Sequence, residues 1–141
     1  MPTPKQMLRE VYWSFYQTFA SRNEFTKALR KYHKDILQKT PNLTNIVFNE
    51  QEIVIQFLLN PTDQQENADY QEDRQLKITT QNPQGFKTSE LLYKINNAVI
   101  ENDKGFNLAE EDAHFFEGLQ YLTDDDPAYP QTKVYFMILG S

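Results

Sequence analysis

The sequence predicts a single α+β domain, residues 1–141, in which an antiparallel or mixed sheet packs against helices. The length of 141 residues is typical of one domain with one core. The 10 Phe, 8 Tyr and 1 Trp supply the large side chains that such a core needs. Segments with helical periodicity and segments with strand periodicity follow one another in the order α-α-β-β-β-α-β-β.

The first predicted helix begins at Pro4. Thr3–Gln6 has the T-x-x-Q form of a capping box, with proline at the first helical position. Trp13 falls beyond the apolar stripe of this helix, which predicts that it either packs beneath a neighbouring element or contacts a partner. The stripe spans about 140° at helical spacing and comprises Leu8, Val11, Tyr12, Phe15, Tyr16 and Phe19.

The second predicted helix completes a short helical hairpin. Ser21–Glu24 is an S-x-x-E capping box, and Pro41 closes the helix. The basic residues oppose the apolar seam, as on a solvated helix face. The seam comprises Phe25, Leu29, Tyr32 and Ile36, and the basic side comprises Lys27, Arg30, Lys31 and Lys34.

Three strands follow. Residues 45–60 read as two β-rich runs joined by Asn49–Glu52, which predicts a hairpin. The polar segment Pro61–Arg74 is predicted to be a mobile loop. After it, Leu76 and Ile78 alternate with polar residues, as in a strand with one wet face.

The third predicted helix follows a turn at Asn82–Gly85. Thr88 or Ser89 can cap it, and Gly105 is a typical C-terminal stop. Its main stripe leaves two apolar residues on the other side, which are either covered or exposed to a partner or a second subunit. The stripe comprises Leu91, Leu92, Ile95, Ala98 and Val99, and the opposite pair is Tyr93 and Ile100.

Two strands complete the chain, at about Phe115–Leu122 and Lys133–Leu139. Val134–Leu139 is apolar at both alternating sets of positions, which predicts a place in the middle of the sheet with both faces covered. Gly118 interrupts the preceding strand and indicates a bulge or a close backbone approach. Glu117 is expected on the wet face of that strand.

Composition excludes several functional classes. The chain has no cysteine, so a disulfide framework, a thiolate metal site and a cysteine nucleophile are impossible. The net charge of −6 disfavours nucleic acid and anionic membrane surfaces as main partners. No apolar run is long enough to span a bilayer and no secretory pattern is present, so a cytoplasmic location is expected.

One acidic stretch permits a metal site. Glu110, Asp112 and His114 alternate, so in a strand they would share one face and could hold one ion, as in a small metal-dependent hydrolase. The competing interpretation is a capped turn at Asn107–Glu110 that leads into the next strand. Because no motif with tight ligand spacing supports the ion, the sequence predicts no metal and no cofactor.

A second acidic stretch is the loop that contains Asp124, Asp125 and Asp126. It lacks the glycine and the distal glutamate of a calcium-binding loop, and Pro127 marks it as a connection. It is either a solvated turn or an acidic surface that docks a basic protein, to which Tyr129 would add an aromatic contact.

The sequence therefore favours a non-enzymatic, acidic protein-binding domain, of the inhibitor or immunity type, whose partner is a basic protein. One alternative is a homo-oligomer joined through Trp13 or through Tyr93 and Ile100. The other is the hydrolase described above. The candidate partner contacts are Asp124, Asp125, Asp126, Tyr129, Trp13, Tyr93 and Ile100.

Overall fold

A computed structural model describes residues 3–15, 17–59, 72–102 and 115–140 and confirms the α+β class. Within these ranges the chain forms two helices and eight strands. The helices are α1 (Arg22–Asp35) and α2 (Thr88–Glu101). The strands are β1 (Gln6–Met7), β2 (Trp13–Ser14), β3 (Ile46–Phe48), β4 (Glu52–Leu59), β5 (Glu72–Thr79), β6 (Phe86–Lys87), β7 (Phe115–Thr123) and β8 (Val134–Gly140).

The main sheet is mixed and has the strand order β1-β7-β8-β4-β5, with β2 also pairing with β7. Strands β4 and β8 run parallel, and the other pairs in the sheet are antiparallel. Strands β3 and β6 form a separate two-stranded ribbon. Because β8 lies between β7 and β4, its predicted central position is confirmed.

One face of the main sheet carries the core. Alternate residues of the central strands point to this face and pack against the apolar sides of both helices. The sheet contributes Ile53, Ile55, Phe57, Ile78, Phe116, Leu119, Tyr135 and Met137, and the helices contribute Phe25, Leu29, Leu91, Leu92, Ile95 and Val99.

The opposite face of the sheet is covered unevenly. Val54 and Val134 are fully buried there, whereas Leu58 and Leu122 are 38% and 46% exposed. The connection between β7 and β8 reaches across β4, because Asp126 in this loop accepts a hydrogen bond from Gln75 on β5. The loop thus covers one end of the face and leaves the other end partly open.

The predicted first helix is wrong. Residues 6–7 and 13–14 are instead short strands on β7, and the chain turns between them at Leu8, which has a φ of 59°. Val11 and Trp13 are buried while Tyr12 between them is exposed, as in an extended chain with one covered face. Val11 and Phe15 fit both the helical and the two-residue period, whereas Trp13 fits only the two-residue period, and pairing with β7 selects the extended chain.

The N-terminal segment is held against α2 by two asparagines. The Trp13 indole Nε1 donates to Asn96 Oδ1 at 2.9 Å, and Asn96 Nδ2 donates to the Gln17 carbonyl at 3.0 Å. Asn97 accepts from the Phe19 amide at 3.1 Å and donates to the Phe19 carbonyl at 2.8 Å. These side-chain amides supply the hydrogen bonds that a neighbouring strand would otherwise provide.

Helix α1 confirms its predicted capping residue. Ser21 Oγ accepts from the Glu24 amide at 3.2 Å, and the helix ends before Pro41, at Asp35.

Near the end of α1, buried His33 accepts from the Tyr12 amide through Nε2 at 3.0 Å and contacts the Lys39 carbonyl through Nδ1 at 3.1 Å. Since a carbonyl only accepts, Nδ1 carries the proton and the ring is neutral.

The predicted strands at β3 and β4 are confirmed, but their pairing as a hairpin is wrong. Strand β3 pairs with β6 and remains outside the main sheet. The segment before β3 instead caps α2, because the Leu43 and Asn45 carbonyls accept from the Ser89 and Thr88 amides at 3.0 Å each. The N-cap residue is Lys87, whose side chain makes no capping bond.

Some predicted boundaries differ from the structure. Helix α2 ends at Glu101, and the predicted stop at Gly105 lies outside the described residues. The predicted loop Pro61–Arg74 overlaps the start of β5, and residues 61–71 lie outside the described part of the chain. The last two strands fall where they were predicted.

Gly118 confirms the predicted bulge. The register of β7 against β8 shifts between Phe116 and Leu119, and Gly118 has a φ of +119°. A Cβ at this position would lie 2.3 Å from Arg9 Cδ and 3.2 Å from the Met7 carbonyl oxygen. Glu117 is exposed, as its predicted place on the wet face requires.

We expect Asn96→Ala to lower the free energy of unfolding by about 3 kcal/mol, because it removes the buried hydrogen bonds that the Asn96 side chain makes with the Trp13 indole N–H and the Gln17 carbonyl. Urea denaturation followed by Trp13 fluorescence would measure this loss. The matched control is Asn23→Ala, at an exposed position of α1. Equal stabilities of the two variants would show that the Asn96 contacts do not hold the segment.

We expect Gly118→Ala to destabilise the fold by about 2 kcal/mol, since its backbone occupies a region that L-residues rarely adopt. Gly140→Ala is the matched control. Its Cβ would meet the end of the exposed, flexible Glu117 side chain, which can move, so the loss stays under about 1 kcal/mol. Thermal unfolding followed by circular dichroism would compare the stabilities of the two variants. A larger loss in Gly140→Ala than in Gly118→Ala would contradict backbone strain at position 118.

Candidate functional site

The loop between β7 and β8 brings the three predicted aspartates into one turn but gives them different roles. Asp124 and Asp125 are exposed, whereas Asp126 is only partly exposed. Tyr129 lies half-buried in the same loop. Two carboxylates and one tyrosine are therefore presented to solvent from a single connection.

Asp126 anchors this loop. Its Oδ2 accepts from Gln75 Nε2 at 2.8 Å, its Oδ1 accepts from the Ala128 amide at 2.9 Å, and its carbonyl accepts from the Tyr129 amide at 3.0 Å. The Asp125 amide also donates to Thr123 Oγ1 at 3.0 Å. These bonds fix the loop backbone from which the two exposed carboxylates project.

A basic residue lies close to the start of the loop. Lys133 Nζ forms an ion pair with Glu50 at 2.5 Å. The hydrogen bond to Glu50 raises the pKa of Lys133, burial opposes this, and the negative charges of Glu50 and Asp124 add to the rise. The charge of Asp124 is thus partly offset from within the molecule, and Asp125 is farther along the exposed turn.

Beside this ion pair lies a buried tyrosine. Tyr135 donates through its hydroxyl to the Pro4 carbonyl at 2.6 Å and packs against Tyr121 and Phe48. Burial raises the pKa of Tyr135, and the nearby Tyr121 and Glu50 raise it further. The contacts of Tyr135 tie β8 to the N-terminal segment and indicate a structural role.

The predicted partner contact at Trp13 is wrong. Trp13 is 1% exposed, and its ring packs edge-on against Phe25 with centroids 4.9 Å apart. A side chain enclosed in this way has no surface to offer to a partner or to a second subunit. The alternative prediction, that Trp13 packs beneath a neighbouring element, is confirmed.

Tyr93 and Ile100 are half-buried and pack against the core. The Tyr93 ring lies 5.9 Å from that of Phe25, and its hydroxyl donates to the Phe19 carbonyl at 3.4 Å. The N-terminal segment thus covers much of the side of α2 on which Tyr93 lies. Contact of these two residues with a second subunit stays a prediction.

The candidate metal ligands Glu110, Asp112 and His114 lie outside the described residues. Within the part of the chain that the structure describes, no three His, Asp or Glu side chains are grouped so that they could hold an ion.

An apolar groove beside α1 was not predicted from the sequence. Tyr12, Ile36 and Phe115 line it and are 41%, 39% and 36% exposed, with Arg9 and Glu117 at its rim. Its volume is about 520 Å³. The prediction of a helix in this region placed Tyr12 in the core. In the sequence, the apolar residues Val11, Trp13 and Phe15 alternate with Tyr12 and Ser14, and this two-residue spacing was the signal for an outward Tyr12.

A second polar cluster joins α2 to the end of β5. Glu90 Oε2 accepts from Thr80 Oγ1 at 2.7 Å and lies 3.0 Å from Lys94 Nζ, which also donates to the Thr79 carbonyl at 2.7 Å. Burial raises the pKa of Glu90, but the hydrogen bonds from Thr80 and Lys94 and the charges of Lys94 and Arg22 outweigh it. Together they hold the pKa below its ordinary value of 4.5.

Comparison with known proteins assigns the chain to no family. No protein-family model, no curated protein and no solved structure matches it. Among the described helices, none combines the length and the apolar character needed to cross a bilayer.

We expect Glu90 to stabilise the fold at neutral pH and to lose this contribution in acid. Because its folded pKa is lowered, the unfolded state binds more protons, so the contribution is full above the unfolded pKa and disappears as pH falls through the folded pKa. Urea denaturation of the wild type and of Glu90→Gln, from about pH 6 to about pH 3, would measure this. The stability advantage of the wild type should shrink as pH falls.

The matched control for this pH series is Glu101→Gln, which removes an exposed carboxylate from the same helix. A wild-type advantage over Glu90→Gln that grows with acidity would contradict the direction of the shift.

Proposed function

We propose that this chain is a non-enzymatic protein-binding domain whose β7–β8 loop docks a basic protein. The proposal depends on one observation, which is that the side chains of three consecutive aspartates differ in exposure and in hydrogen bonding. Asp126 is hydrogen-bonded inward, while Asp124 and Asp125 are exposed on the turn that it fixes. A loop anchored in this way loses little conformational entropy when a partner binds.

Charge supports the same conclusion. The chain carries a net charge of −6, which attracts a basic surface over distances of about a Debye length, roughly 8 Å at physiological salt. Exposed carboxylates at the rim of an interface mainly increase the association rate and the specificity. Half-buried Tyr129, in the same loop, adds an aromatic contact of the kind enriched at protein interfaces.

The partner class that this chemistry fits is a basic protein, and the role that we propose is that of an inhibitor or immunity-type neutraliser. The same charge disfavours nucleic acid and an anionic membrane as partners. A cytoplasmic location belongs to the proposal, and the cysteine-free composition supports it.

We expect the Asp124→Asn/Asp125→Asn double variant to bind the basic partner about tenfold more weakly than the wild type, because two steering charges are lost. The partner would first be captured from extracts of the native cell on immobilised wild-type protein. Affinities of the purified pair would then be measured by calorimetry at low and high salt. Wild-type affinity should fall as salt rises, and the variant should depend less on salt.

The matched control is Glu10→Gln/Glu101→Gln, which removes the same charge from two exposed positions outside the loop. We expect this control to keep most of the wild-type affinity. A basic partner held equally well by the loop variant, or the capture of no basic protein at all, would refute the proposed docking loop.

A further inference from the structure

Strand β5 forms one edge of the main sheet. Within the described ranges it pairs with β4 on one side, and no strand pairs with it on the other. An edge strand of 8 residues presents a row of backbone N–H and C=O groups that can pair with another strand.

The register shows which backbone groups point outward from this edge. The Thr80 amide donates to the Gln51 carbonyl at 3.0 Å, so Thr80 and Gln51 are a hydrogen-bonded pair of the antiparallel ladder. Since such pairs alternate along a strand, the even-numbered residues of β5 bond to β4. The N–H and C=O groups of Asp73, Gln75, Lys77 and Thr79 therefore point away from the sheet.

The Thr79 carbonyl supports this assignment, because it accepts from Lys94 Nζ at 2.7 Å and so faces away from β4. That contact also blocks the end of the edge. Among the described residues, the outward backbone groups of Asp73, Gln75 and Lys77 are the part of β5 left for a further strand.

We infer that this edge pairs antiparallel with β5 of a second copy, which gives a symmetric dimer with Gln75 opposite its own counterpart. In this register Asp73 faces Lys77 of the other copy, and this pair occurs twice. Each residue of both pairs has its backbone groups directed outward, as the antiparallel ladder requires. The sheets of the two copies then form one continuous sheet.

Charge complementarity selects this register. Asp73, Gln75 and Lys77 project from the same face of β5, and oppositely charged residues directly opposite one another stabilise an antiparallel pair. Shifting the partner by two residues in one direction places Asp73 opposite Gln75 and Arg74 opposite Arg74. Shifting it in the other direction places Asp73 opposite Thr79, whose carbonyl is occupied.

The existing contacts of these side chains are compatible with the dimer. Lys77 lies 3.2 Å from Glu52 and is 43% exposed, so a second carboxylate can approach its ammonium group. Gln75 is held by Gln56 and by Asp126 on the same face, at 2.9 Å and 2.8 Å, which keeps its side chain away from the edge. Charges on an edge strand discourage random pairing, and here they fit one partner.

The test uses two charge variants that are each predicted to be monomeric and to associate with one another. Asp73→Lys places lysine opposite lysine twice, and Lys77→Asp places aspartate opposite aspartate twice. Mixing the two variants restores both opposite-charge pairs in a heterodimer. Sedimentation velocity from about 5 µM to about 500 µM at low salt would measure association of the wild type, each variant and the mixture.

We expect the wild type to dimerise, each single variant to dimerise at least about tenfold more weakly, and the mixture to recover wild-type association. Glu10→Lys, which makes the same charge change at an exposed position at the opposite end of the sheet from β5, is the matched control and should dimerise like the wild type. Circular dichroism would verify that each variant is folded.

Three results would overturn the inference. These are a wild type that is monomeric throughout the concentration range, a dimer that survives both single variants, and a mixture that fails to associate. Loss of the dimer in Glu10→Lys as well would show that overall charge, and not the pairing of Asp73 with Lys77, controls association, and would contradict the inference too. The dimer test is independent of the proposed basic partner, because it uses only the purified chain.

Discussion

The fold depends on the attachment of an extended N-terminal segment to a helix by side-chain amides. Asn96 is fully buried on α2 and connects the Trp13 indole to the Gln17 carbonyl, while Asn97 pairs with the Phe19 backbone. A buried polar group is tolerated only when it is satisfied, so these contacts specify one position for the segment. That position in turn allows β1 and β2 to close the edge of the sheet at β7 and to enclose the aromatic core around Trp13.

The local signals in the sequence predicted those parts of the fold that local interactions determine. The cap at Ser21, the bulge at Gly118 and the central position of the strand Val134–Leu139 depend on neighbouring residues or on the apolar character of one short segment, and all three are confirmed. The prediction for the N-terminal region was wrong because Val11, Tyr12 and Phe15 fit a helical stripe, while Val11, Trp13 and Phe15 also have the two-residue period of a strand. The deciding contacts, with β7 and with Asn96, are distant in sequence and carry no local signal.

The pairing of strands could not be predicted from the sequence either, because it depends on contacts between residues that are distant in sequence. The same limit applies to the candidate site. A short connection at Asn49–Glu52 indicated a hairpin, but β3 pairs with β6 and its preceding residues cap α2. In the acidic loop the composition identified three aspartates without distinguishing them. Only the contact of Asp126 with Gln75, a residue far away in sequence, separates the anchor from the two exposed carboxylates.

The hydrogen bond between Asp126 and Gln75 also links the two proposed surfaces. Gln75 would lie on the two-fold axis of the edge dimer, so the acidic loops of both copies would stand side by side on one face. Their mutual repulsion would oppose dimerisation, and the proposed basic partner would remove it by spanning both loops. Binding of that partner and self-association would then be thermodynamically coupled, and each would raise the affinity of the other by the same factor.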